Sequence, residues 1–331
     1  MKKTLLAVTL ASLFPLAAMA DVVVYGKANV SVQNADEAVM DDSRVELVSN
    51  ASRIGVKGGE EVNSSLKVIY QFEYQTEVDD GTNGSQTFGQ RNIFLGLQGV
   101  AGTIMGGHFD TPTKVAQEKV DLFNDLEGDI THIFKGEIRA SNVVQYTTPT
   151  FAGGFAGSVA YVTEENDGTF RQNNPAGTEP GNGISASFGY TSAAFYAGVA
   201  MDQDVEAEGI DLVRAVARVT LGAVQLGVLA EQYENENTDY DEDGAFVSAL
   251  WNITDKWVLK GQYGQSDVRM FEGESASIGL DYKMTKAATL FSYATKVENG
   301  LPLLIGVPPA TTINTAHRDD TYIGAGVDFK F

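Results

Sequence analysis

The chain has no cysteine, so no disulfide can hold it together. It has only three histidines, His108, His132 and His317, and none has a Ser, Cys or carboxylate partner at a spacing that marks a hydrolytic or zinc site. Basic residues are scarce: 23 Lys and Arg face 44 Asp and Glu, for a formal charge of −21. Nucleic acid needs a basic footprint, so that partner class is excluded. Beyond residue 20 no stretch approaches the ~18 consecutive apolar residues of a membrane-spanning helix. A mean hydropathy of −0.11 does not argue against a membrane β-barrel, in which only alternate residues meet lipid.

The long apolar run that does exist is at the start. Lys2 and Lys3 precede Leu5 to Ala18, and Ala18-Met19-Ala20 follows as a small-residue cleavage signature. That order predicts a secretory signal peptide over 1–20 and a mature chain of 311 residues from Asp21, with charge −23 once both lysines leave.

The dominant pattern in the mature chain is alternation. In "LKVIYQFEYQTE", Leu66, Val68, Tyr70, Phe72 and Tyr74 share one parity; Lys67, Gln71, Glu73, Gln75 and Glu77 share the other. Successive strand side chains point to opposite faces, so period two predicts a strand with one apolar and one polar side. Val213, Ala215, Ala217, Val219 and Leu221 oppose Arg214 and Arg218 in the same way. Val24, Ala28, Val30 and Val32 oppose Tyr25, Lys27, Asn29, Ser31 and Gln33, and Ile323 to Phe331 repeats the pattern at the end. In "RNIFLGLQG" (91–99) apolar residues take both parities, which predicts packing on the inner side too.

Connections alternate between long, acidic segments and short turns. The long set is 34–43, 78–86, about 109–138, 163–183, 202–209, 234–244, 266–275 and about 296–320. Eight long and seven short links predict an all-β transmembrane antiparallel barrel of about sixteen strands, 21–331, with the long loops outside. A soluble exported β-sandwich would also alternate. The export signal and the alternation of loop length favour the membrane, as do aromatics near strand ends (Tyr25, Tyr70, Phe72, Tyr74, Trp251, Trp257).

Several stretches carry a resemblance: "VVYGKANVSV" (23–32), "NASRIGVKGGEEV" (50–62), "LKVIYQFEYQ" (66–75), "RNIFLGLQG", "GTIMGGHFDTP" (102–112), "RASNVVQYTTPTFAGGF" (139–155) and the terminal "GVDFKF". In this order they resemble the Gram-negative general diffusion porins, trimeric sixteen-stranded outer-membrane channels. The resemblance implies a third external loop folded into the lumen, its carboxylates facing arginines on the opposite wall. It puts Arg53, Arg91 and Arg139 on that wall, and strand parity adds Lys27, Arg214 and Arg218 as lumen-facing cations. Glu73 is a further lumen candidate. His108 stands where many members have an arginine, which implies a weaker transverse field.

The infolded loop would contain "DLFNDLEGD", with Asp121, Asp125, Glu127 and Asp129 within nine residues. No His or Cys stands at ligand spacing for a metal, and the oxygen series of a calcium loop is absent. The expectation is that at least two of the four line the constriction. "DYDEDG" (239–244) opens like an EF-hand, but its twelfth position is Leu250, so it reads as a solvated turn in an external loop. No cofactor is expected, beyond loose divalent cations shared between acidic external loops and lipopolysaccharide. The apolar "LPLLIGVPP" (301–309) is expected to tuck into the barrel mouth.

The function expected is passive diffusion of small hydrophilic solutes and ions across the outer membrane, with modest cation preference because acids outnumber bases. The partners expected are two further copies of the chain, lipid and lipopolysaccharide. A substrate-specific channel, for instance for oligosaccharides, is the alternative and would need an aromatic track along the lumen. An enzyme would need a catalytic constellation that the sequence does not display.

Overall fold

The computed structural model describes residues 22–38, 42–79, 88–163, 182–269, 272–299 and 318–331. The expected leader and the apolar segment 301–309 lie outside them. Strands dominate: β1 (Val23–Asp36), β2 (Arg44–Ser49), β3 (Arg53–Asn63), β4 (Leu66–Thr76), β5 (Phe88–Gly99), β6 (Gly102–Asp110), β7 (Arg139–Thr147), β8 (Phe155–Val162) and β9 (Gly183–Thr191). They continue as β10 (Phe195–Gln203), β11 (Ile210–Leu221), β12 (Val224–Asn235), β13 (Tyr240–Asn252), β14 (Trp257–Ser266), β15 (Gly273–Lys283), β16 (Ala288–Asn299) and β17 (Arg318–Lys330).

β2 and β3 both pair with β1, one after the other, so they are two arms of a single wall strand. The bend between them is paid for locally by side chains. Asn50 Nδ2 donates to Ser31 Oγ at 2.9 Å, and Ser52 Oγ accepts from the Asn29 N–H at 3.0 Å. Ala51 takes a left-handed φ of 48° there. The wall is therefore sixteen-stranded. Neighbours in sequence pair antiparallel throughout, and β1 pairs with β17 from Lys27↔Lys330 to Asp36↔Thr321, closing the barrel. Closure leaves no sheet edge, which hydrocarbon would not tolerate.

The alternation resolves into outside and inside. Val213 is 56% exposed while its neighbour Arg214 is fully buried. The outer face carries Val32, Ile54, Phe72, Leu95, Val247 and Ile323, all well exposed. An apolar outer surface around a polar interior is the reverse of a soluble β-protein, and suits lipid. Trp251 and Trp257 are exposed near the short-turn end, beside the turn 253–256. Tyr25 departs from the girdle expectation: its hydroxyl donates to Glu73 inside the barrel, as its parity with Lys27 requires. In β5 the mixed parity has a cause. Phe94 points inward and packs edge-on against Phe109, centroids 6.0 Å apart.

Strands run further into the external region than loop composition suggests. β12 ends at Asn235 and β13 starts at Tyr240, so "DYDEDG" is mostly strand and not a solvated turn. Twelve continuous register pairs between β12 and β13, out to Asn235↔Tyr240, supply backbone partners that outweigh the low strand propensity of Asp.

Candidate functional site

Residues 111–138, between β6 and β7, fold into the barrel. The segment opens with the short helix α1 (Pro112–Ala116), its first turn capped by Thr111 and started by Pro112. Propensity cannot sustain five helical residues, so tertiary bonds hold them. Thr113 Oγ1 donates to Asp202 at 2.6 Å, and its N–H donates to Ser185 Oγ at 3.2 Å.

The segment then runs along β12 to β16. Its apolar residues Val120, Phe123, Ile133 and Phe134 are almost completely buried. Each sits over a glycine of the wall. A Cβ at Gly227 would lie 2.9 Å from Val120, at Gly244 2.7 Å from Phe134, at Gly264 2.8 Å from Ile133, and at Gly279 3.0 Å from Phe123. Four adjacent strands thus offer inward glycines as seats, and each seated side chain contributes about 1.5–3 kcal/mol of burial. Gly128 presses on Ser277 and Thr295 in the same way.

"DLFNDLEGD" divides into two kinds of carboxylate. Asp121 is turned into the segment, where it accepts the N–H groups of Phe123 at 2.9 Å and Ile130 at 3.2 Å. Asp129 accepts from Asp125 N and Thr131 N, both at 2.9 Å, and so caps a single turn of 3-10 helix, Ile130–His132. These two acids shape the loop. Asp121 is only 8% exposed, because both its oxygens are taken by backbone donors that no other group satisfies, which leaves Asp125 and Glu127 as the two outward carboxylates of the four.

Asp125 points outward from the tip at a φ of 69°, a left-handed geometry that Asp tolerates. It meets Lys27 Nζ at 2.9 Å and Arg53 Nη2 at 3.1 Å. Glu127 accepts from Gln33 Nε2 at 2.9 Å and lies 3.9 Å from His132. Burial alone would raise the Asp125 carboxyl, but Lys27 and Arg53 outweigh it and hold it below the usual aspartate range. Asp121 moves the other way: burial, then the nearby Asp129 charge, push it up.

Across the lumen, β3 to β7 carry the remaining charges. Glu73 accepts from Arg91 Nε and from the Tyr25 hydroxyl, both at 2.9 Å, and Arg91 also donates to Gln75. Arg139 pairs with Asp110 at 2.9 Å and donates to Asn92. His108 Nδ1 lies 2.9 Å from Ser141 Oγ. Arg218 stands 3.6 Å from Glu118 of the infolded segment. Arg214, expected on the lumen surface, is fully buried, because the infolded segment lies over β11.

Charged residues near this lumen that were not foreseen include Asp110, Lys114 and Glu118. Lys114 pairs with Asp110 at 3.4 Å. Asp110 ends β6, Lys114 lies in α1 and Glu118 follows the helix at a φ of 55°, so no single sequence period links them. Among the described residues no three acidic, His or Cys side chains gather as metal ligands.

A closed antiparallel wall, apolar outside and polar within, narrowed by a segment folded into its lumen, defines a channel of the bacterial outer membrane. The chain belongs to the Gram-negative porin family, whose model matches residues 7–300. The major outer membrane protein P.IB of a Neisseria meningitidis serogroup A strain is 31% identical over all of this chain and 90% of its own length. The Neisseria gonorrhoeae protein of that name is 28% identical over the same shares. Among solved structures, an anion-selective porin from Comamonas acidovorans superposes with a TM-score of 0.76 at 22% identity, covering 94% of this chain and all of that one. OmpF from Salmonella typhi superposes at 0.70 with 18% identity, covering 94% and 98%. The protein is an outer-membrane diffusion channel, a porin.

Proposed function

We propose that the channel passes small hydrophilic solutes without chemical specificity and weakly prefers cations. The observation that carries this reading is the reach of the infolded segment, from β6 to the Lys27 and Arg53 side chains of β1 and β3. A segment so placed filters by size. Water beside it is ordered between fixed charges, so apolar solutes enter poorly. Asp125 and Glu127 on the segment, and Lys27, Arg53, Arg91 and Arg139 on the wall, supply the transverse field, with Glu73 and His108 as further lumen groups. The outer mouth biases entry. Glu37, Asp42, Glu77, Asp79, Glu206 and Glu208 lie in external connections, and a low-dielectric rim concentrates cations beside them.

Inward aromatics support the nonspecific reading. Tyr196, Phe246, Tyr293 and Tyr322 are buried, leaving no exposed track there for a sugar to slide along. A trimer is in keeping with the apolar outer wall, and one solved structural relative, OmpT of Vibrio cholerae (TM-score 0.65, 16% identical), is described as a trimer form. Asp241 and Asp243 are exposed on the outer parity of β13, above Ala245 and Val247, where shared divalent cations could link them to lipopolysaccharide.

One observation favours anion preference instead. On the wall facing the segment, Lys27, Arg53, Arg91 and Arg139 outnumber Glu73 and Asp110. Liposome swelling tests the main reading. Uptake should fall smoothly with sugar size and not saturate; saturable uptake of one oligosaccharide would replace it with a substrate-specific channel.

A further inference from the structure

Arg214 takes no part in the transverse field, yet it is a fully buried cation in a water-filled protein. Its guanidinium holds four groups. Two are carboxylates: Glu231 of the neighbouring strand β12, at 2.6 Å from Nη2 and 2.8 Å from Nε, and Glu137 of the infolded segment, at 2.6 Å from Nη1. Two are carbonyls of the same segment: Lys135 O at 2.6 Å and Thr113 O at 3.4 Å. Thr113 lies where the segment enters the lumen, and 135–137 lie where it leaves. One side chain therefore ties both ends together and to the wall. Glu231 completes the tie by accepting the Lys135 N–H at 2.9 Å.

The tie leads to the passage. Lys114 follows Thr113 on α1, donates to the Glu137 carbonyl at 3.3 Å, and pairs with Asp110, which in turn holds Arg139. Seating on wall glycines fixes the middle of the segment, and the Thr111 N–H donates to the Ile138 carbonyl at 3.1 Å where its two ends meet. Hydrogen-bonded charge adds the side-chain restraint there. A buried pair is costly to leave half-made, so the arrangement resists partial opening.

We propose that Arg214 is a positioning residue that sets the width of the passage, by clamping the entering and leaving ends of the infolded segment into one rigid shelf. The inference rests on the porin reading and extends it to the residue that holds the size filter shut. Lysine cannot replace it, because only a planar fork can serve two carboxylates and two carbonyls together.

Single-channel recording of the full protein tests this. Direct loss of Arg214 strands two buried carboxylates and can block folding, so the primary variants are Glu137→Gln and Glu137→Ala, which leave the Arg214–Glu231 pair intact. Glu137→Ala should give flickering sub-states and raise trisaccharide entry about twofold or more; Glu137→Gln, which keeps an acceptor oxygen, should fall between it and the parent. Both should retain the parent's heat-modifiable gel mobility, which a loss of general stability would change. The companion variant Arg214→Met with Glu137→Gln and Glu231→Gln removes all three charges and should flicker like Glu137→Ala. If the parent conducts and the folded variants match it in noise, conductance and size limit, the clamp is overturned and the channel reading stands. A parent that carries no current defeats the channel reading itself.

Discussion

Asp125 and Lys27 lie 98 residues apart in sequence and meet at 2.9 Å inside the barrel. Arg53 reaches the same carboxylate oxygen from β3. One loop carboxylate is thereby gripped by two adjacent strands, and this anchors the tip of the segment where the passage is narrowed.

Replacing Asp125 by Asn leaves Lys27 and Arg53 uncompensated. The reversal potential under a salt gradient should move toward anions, and the tip should become noisier. Replacing Asp121 by Asn should act differently. It disturbs the two backbone bonds that shape the loop, each worth about 1.5–3 kcal/mol as a charged bond, so flicker should rise with little change of selectivity. If the two variants shift selectivity equally, the division between tip and bracket is wrong.

The tip should also respond to acid. Asp125 is held below its usual range by Lys27 and Arg53, so its bridge contributes stability above the ordinary aspartate pKa and loses it as pH falls through the lowered value. The part of the conductance noise that depends on Asp125 should therefore stay at its neutral-pH level through pH 5. It should rise only below the ordinary aspartate range, and Asp125→Asn should abolish that acid step. A step near pH 6 that persists in the variant would assign it to another group.

The wall glycines give a prediction of opposite sign. A side chain at Gly279 meets Phe123, so Gly279→Val should push the segment toward the lumen and lower single-channel conductance. Conductance at or above the parent value in a folded barrel would show that the seats do not set the position of the segment.

Gly26 tests closure. Its N–H and carbonyl bond Phe331, at 2.9 and 3.1 Å, and the Phe331 ring covers the space a Cβ would fill. Gly26→Val should reduce the yield of heat-modifiable, protease-resistant barrel. An unchanged yield would show that the terminal ring can move aside without cost.

Much of the wall was legible because a strand writes its two faces into alternate positions: parity puts Val213 and Arg214 on opposite faces, and the membrane reading makes Val213 the outer one. Parity states a direction and not an environment, so Arg214 was read as lining the lumen when another part of the chain covers it. The four acids of "DLFNDLEGD" looked alike for the same reason. Whether a carboxylate bonds its own backbone, as Asp121 does, or a distant lysine, as Asp125 does, depends on turn geometry that composition does not encode. The glycine seats were present as inward-parity positions in four strands, but they gain meaning only from the apolar residues lying over them. Strand ends were misplaced at "DYDEDG" because ladder pairing overrode local preference.

Recording across a planar bilayer, with the purified protein under a potassium chloride gradient, is the measurement that tests the central claim most directly. The account predicts stepwise, long-lived ohmic currents in groups of three, with a reversal potential displaced modestly toward that of potassium. Absence of any current from folded protein would contradict the channel, and a reversal potential displaced toward chloride would contradict the cation preference.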